Sequence, residues 1–124
     1  MRGRLLSCLP ALALLLVLAA VPARAESQKM VHFIVVSYQA ADGADIDAAI
    51  TELKAKFLEL AGGYTELGIT SGGYLPPGGA AVKSDGRSFL VAADTDLSAE
   101  IMAWAESKFV GPPFILVWPA KCSF

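Results

Sequence analysis

Met30-Val31-His32-Phe33-Ile34-Val35-Val36-Ser37-Tyr38 is rich in β-branched and aromatic residues and almost unbroken in apolarity. A strand with this reading is buried on both faces, which makes it central, with a neighbouring strand on each side. Downstream, Asp42-Gly43 marks a turn, and Asp45 stands where an N-cap acceptor is wanted before a periodic apolar stretch. Ile46, Ala49, Ile50, Leu53, Phe57 and Leu60 recur at spacings of three and four, so a helix is predicted from Ile46 with this stripe turned to the core. Glu52 and Lys56 are placed as an i,i+4 pair on its other side, and Gly62-Gly63 ends it.

The second strand is predicted between Tyr64 and Tyr74, with a bulge or tight turn where Ser71-Gly72-Gly73 interrupts it. Pro76 to Asp85 reads as the loop of a wide hairpin, and strand character resumes over Arg87 to Ala93. Asp94, Asp96 or Ser98 is the cap of a second helix with the stripe Leu97, Ile101, Trp104, Ala105 and Phe109. Gly111-Pro112-Pro113 stops that helix, and Phe114 to Trp118 is the last strand, with Trp118 assigned to its core side. The order strand, helix, strand, strand, helix, strand is the ferredoxin-like βαββαβ pattern: an α+β domain with an antiparallel sheet and two helices on one face. In that topology the first and third strands are central, as the apolarity of Val31–Val36 and Phe89-Leu90-Val91 requires.

Upstream of the domain, Arg2 and Arg4 precede an apolar run over Leu9–Val21, and Ala23-Arg24-Ala25 has the small residues of a cleavage site. Residues 1–25 are therefore expected to be a signal peptide, and residues 26–124 one exported domain, periplasmic or secreted. The run is shorter than the roughly 20 residues that span a bilayer, so no membrane association is expected after cleavage. Cleavage would remove Arg2, Arg4, Arg24 and Cys8, leaving seven Lys and Arg against twelve Asp and Glu, a net charge of −5 with His32 neutral. An acidic chain whose lysines are scattered has no basic stripe for phosphates, so nucleic acid is not an expected partner. Cys122 would be the single remaining thiol, open to an intermolecular disulfide but not to an internal one.

The Gly62-Gly63-Tyr64-Thr65 turn, the Gly72-Gly73-Tyr74 segment, and Lys108-Phe109 followed by a short apolar strand resemble small exported bacterial proteins of uncharacterised function with a ferredoxin-like fold. The resemblance spans most of residues 26–124. It implies fold and export and assigns no catalytic residue.

Few residues offer chemistry. His32 is the only histidine, so no two-histidine metal site can form within one chain, and neither metal nor cofactor is expected. Asp94, Asp96 and Glu100 lack the spacing of a calcium loop and suit helix capping better. The serines have no nucleophile elbow, and the glycine pairs are not followed by the Lys-Ser or Lys-Thr of a phosphate loop. The leading expectation is a non-catalytic binding or interaction module, dimeric through its sheet, with Tyr64, Thr65, Tyr74, Lys83 and Arg87 of the wide hairpin as binding candidates. Two alternatives stand beside it. One is a small dimeric enzyme acting on an organic substrate, with His32 as base and Tyr38 and Arg87 orienting it. The other is a protease-inhibitor or propeptide-like module, with Pro119–Phe124 as a free tail.

Overall fold

The structure is a computed structural model that describes residues 26–123, so the expected signal peptide lies outside the described residues. Its elements are β1 (Glu26–Ser37), α1 (Ile46–Ala61), β2 (Thr65–Tyr74), β3 (Val82–Ala93), α2 (Ser98–Lys108) and β4 (Phe114–Ser123), with a single 3-10 turn at Ala41–Gly43. The four strands form one sheet in the order β2-β3-β1-β4, with every pairing antiparallel. This is the ferredoxin-like α+β arrangement, with β1 and β3 at the centre. Neither helix is long and apolar enough to cross a membrane.

The helices form where their local signals place them. Asp45 caps α1 by accepting the Asp47 backbone N–H at 2.9 Å, and Gly62 closes it in the left-handed region at φ 78°. Ala49, Ile50, Leu53 and Phe57 of α1, with Ile101 and Ala105 of α2, are buried against one face of the sheet. That face contributes Ile34 and Val36 from β1 and Phe89, Val91 and Ala93 from β3. Phe57 meets Phe89 edge-on at 5.4 Å, and Tyr64 closes the cluster 6.4 Å from Phe89.

Two strand limits and the position of a bulge differ from the sequence expectation. The third strand starts at Val82 instead of Arg87, because Val82–Gly86 continue the ladder opposite Thr70–Tyr74 and reduce the loop to residues 75–81. Polar, glycine-containing segments pair here because both faces of the hairpin arm meet solvent, so no apolar alternation is needed. The bulge sits earlier than Ser71-Gly72-Gly73, between Glu66 and Gly68, where Gly68 takes φ +104°. The last strand runs on through Pro119 to Ser123, pairing Ala120–Ser123 with Glu26–Lys29. Proline is tolerated because β4 is an edge strand, where a missing N–H need not break a ladder. Pro119–Ser123 are therefore not a free tail.

The Glu52–Lys56 pair is also replaced. Glu52 reaches Lys108 of α2 at 3.1 Å, and Lys56 turns to Glu59 at 3.3 Å, so one ion pair links the two helices.

Phe57→Ala should destabilise the domain by about 3–5 kcal/mol, and Asp45→Ala by ~1 kcal/mol. Urea unfolding followed by circular dichroism would measure both.

Candidate functional site

His32 is fully buried on the helix-facing side of β1. Its Nε2 accepts the backbone N–H of Leu97 at 2.8 Å, and its Nδ1 lies 3.2 Å from the Val91 carbonyl. An acceptor at Nε2 and a donor at Nδ1 define the neutral Nδ1–H tautomer. The ring therefore brackets the start of α2 to the two central strands. Asp96 completes the corner: its carboxylate accepts the Ser98 backbone N–H at 2.8 Å and the Ser98 hydroxyl, and stands 3.5 Å from His32 Nε2. The Ser98 hydroxyl, then the Ser98 N–H, hold the Asp96 carboxyl below its ordinary value. The N-cap position of α2 is Leu97 and none of the three expected residues; Asp96, one residue before it, takes up the Ser98 N–H, while Asp94 pairs with Lys29.

This geometry leaves His32 no unengaged lone pair and no route to solvent. Tyr38 and Arg87 lie together elsewhere, with the guanidinium carbon 5.2 Å from the centre of the Tyr38 ring. Arg87 is opposite Val36, whereas His32 is opposite Val91, so four residues of strand, roughly 13 Å, separate them. Arg87 also donates to Glu66 at 2.7 Å, and Lys54 of α1 approaches the same carboxylate at 2.5 Å. The Lys54 ammonium first, then Arg87, lower the Glu66 carboxyl against the desolvation of the site. Sequence reading missed Lys54 and Glu66, because the bulge sets which residues of β2 turn towards the helices.

The hairpin candidates do not converge. Tyr64 packs in the aromatic core, Thr65 opens β2, and Lys83 and Tyr74 stand on the projecting arm, opposite Gly73 and Val82 respectively. Two shallow clefts of about 240 and 340 Å³ lie on the helix layer around the Glu52–Lys108 pair. Neither is lined by His32, Tyr38 or Arg87.

The other face of the sheet is the largest uncovered surface. Register and alternation put Val31, Phe33 and Val35 of β1 there, beside Phe114, Leu116 and Trp118 of β4, and Ser88, Leu90 and Ala92 of β3. The β2 side adds Leu67, Gly68, Thr70, Gly72 and Tyr74. Among the described residues of this face only Lys29, between Ser27 and Val31 on β1, is charged, and it is paired with Asp94. Phe114, Leu116 and Trp118 keep 55 %, 49 % and 41 % of their surface exposed, so Trp118 is not a core residue. Both helices lie on the opposite side, so nothing among the described residues covers it. Cys122, a free thiol, shares this face opposite Ser27.

No family model, curated protein or solved structure matches this chain.

His32→Ala should leave the Leu97 N–H and the Val91 carbonyl buried without their partner, a loss of about 2–5 kcal/mol, and His32→Gln should restore part of it in the same denaturation assay. The depressed Asp96 carboxyl gives a pH signature. Its contribution is complete above the unfolded carboxylate value near 3.9 and is lost as pH falls through the lower folded value. Melting temperature measured from about pH 5 to pH 2 should therefore fall less steeply in Asp96→Asn than in the parent.

Proposed function

We propose that this chain is a small exported interaction module without catalytic activity, periplasmic or secreted like the bacterial proteins it resembles, and that it works as a dimer closed through its open sheet face. The observation that carries the reading is the apolar character of that face along β1 and β4, flanked by mostly small, uncharged residues on β3 and β2. A contiguous apolar patch of this extent on a soluble domain marks an interface. Aromatic side chains present about 150–250 Å² each, so Phe114, Trp118 and Tyr74, at 55 %, 41 % and 61 % exposure, alone offer roughly 250–400 Å². Leu67, Leu116 and the partly buried β1 residues add to this area, against the ~800 Å² per partner of a standard interface.

A second copy suits this surface for a reason of charge. The domain is acidic, yet its interacting face is neutral, so two copies meet there without like charges opposing each other. Self-association through one patch on both subunits is the common form of small dimers. The polar groups elsewhere favour a non-catalytic role, since His32, Arg87, Glu66 and Lys54 are engaged with one another or with the backbone.

Light scattering coupled to size exclusion should return the mass of two chains in the micromolar range. Leu116→Glu should shift the protein to one chain while its far-ultraviolet spectrum stays that of the parent. A parent protein that elutes as a single chain at all concentrations would rule the dimer out.

A further inference from the structure

His32 is the only imidazole in the chain, and an imidazole is the side chain whose charge changes between about pH 5 and pH 8. Both of its ring nitrogens are engaged with backbone, Nδ1 with the Val91 carbonyl at 3.2 Å and Nε2 with the Leu97 N–H at 2.8 Å. The ring is fully buried, so a proton reaches Nε2 only once the Leu97 N–H has moved off it. A protonated Nε2 is a donor facing a donor, and the contact cannot close again. Proton uptake at His32 and detachment of the start of α2 are therefore one event.

A counter-ion for the charged ring already stands beside it. The Asp96 carboxylate lies 3.5 Å from Nε2 and is occupied by the Ser98 N–H and hydroxyl. The other charged groups at this corner are directed elsewhere: Asp94 is held by Lys29, and Glu100 is exposed in the first turn of α2. On the side of the sheet that carries the ring, Val91 and Ala93 of β3, Val117 and Pro119 of β4 and the buried residues of α1 are all uncharged. Asp96 is thus the one partner for an imidazolium among the described residues, and by turning to it Asp96 leaves the Ser98 N–H without an acceptor. The positive end of α2 is repelled by the same charge. This helix is also the lighter of the two, with Ile101 and Ala105 buried over 11 residues, against four buried residues over 16 in α1. Its first turn is the part of the helix layer that gives way.

We propose that His32 and Asp96 form an acid-operated latch on α2. In the closed form the neutral ring holds Leu97 and the carboxylate holds Ser98. In acid one proton passes from solvent to Nε2, the imidazolium takes the Asp96 carboxylate, and the first turn of α2 is released. The Nδ1–H bond to Val91 is kept in both forms, so the ring stays on the sheet while the helix start leaves. The latch lies on the covered side of the sheet and does not rest on the dimer reading.

Amide hydrogen exchange followed by nuclear magnetic resonance on the full-length chain reads the latch directly. From about pH 7.5 to about pH 5, the protection of the Leu97, Ser98 and Ile101 amides, corrected for the intrinsic pH dependence of exchange, should fall roughly ten- to thirtyfold. The Leu53 and Phe57 amides of α1 should keep theirs. Over the same range the ring nitrogen signals should pass from the Nδ1–H tautomer to the imidazolium. His32→Gln, whose side-chain oxygen can accept the Leu97 N–H but takes up no proton, should abolish the pH dependence. Asp96→Asn keeps an acceptor for the Ser98 N–H and lacks the anion, so the same loss should need more acid; this variant keeps the test open where His32→Gln does not fold. Protection at Leu97 and Ser98 that holds throughout this range in the parent, or that falls equally in α1 and α2, would overturn the latch.

Discussion

Two helices lie over one side of a four-stranded sheet, and the described residues supply no third layer for the other. Everything else in the molecule responds to that shortage. The covered side concentrates the core, with Phe57, Phe89, Leu53, Ile34 and Ile101 packed out of reach of solvent. Lys29, paired with Asp94, is the one charged residue of the uncovered side among the described residues, although charged groups are plentiful on the helices and at the strand ends. A sheet meant to face water on one side alternates apolar with polar residues. This one approaches that only over the middle of β2 and β3, where Gly68, Thr70, Gly72, Ser84, Gly86 and Ser88 stand on the open side, and not in β1 or β4.

That pattern explains which parts of the fold were legible in the sequence. Both helices could be read because their stripes, caps and stop signals agree: Asp45 and Gly62 bound α1 as their residue types demand. The central position of β1 was legible as well, although its unbroken apolarity has a different cause from the expected one. Its helix-side residues are buried, whereas Val31, Phe33 and Val35 are only half covered. Trp118 was misplaced for the same reason, since an apolar residue on a strand reads as core whichever face it occupies. The limits of β3 and β4 were hidden by residues that usually end strands. Ser84-Asp85-Gly86 and Pro119 stay in the ladder because one lies on a solvent-exposed arm and the other on an edge.

The polar groups show a different limit. His32 was legible as a singular residue but not as a bracket, because its partners, Leu97 and Val91, contribute backbone atoms that leave no trace in side-chain identity. Arg87 and Tyr38 come together across paired strands, away from the His32 with which the sequence reading grouped each of them. The third member, Glu66, depends on a one-residue bulge that shifts the alternation of β2. Buried polar contacts of this kind fix a side chain in place, and they take the most reactive residues of the chain out of circulation.

The pairing of the first strand with the last has a further consequence. Glu26 is opposite Ser123, so the two ends of the described domain leave the sheet side by side. The longest ladder in the protein thus joins segments almost a full chain length apart, and contacts of such sequence separation make folding slow relative to helical domains of similar size. The same adjacency means that the ends could be joined by a short linker and the chain opened instead within residues 75–81, giving a circular permutant in which β4 and β1 become neighbours in sequence. In such a chain the β1–β4 pairing would turn from the most distant contact into a local hairpin, and the permutant should fold faster than the parent.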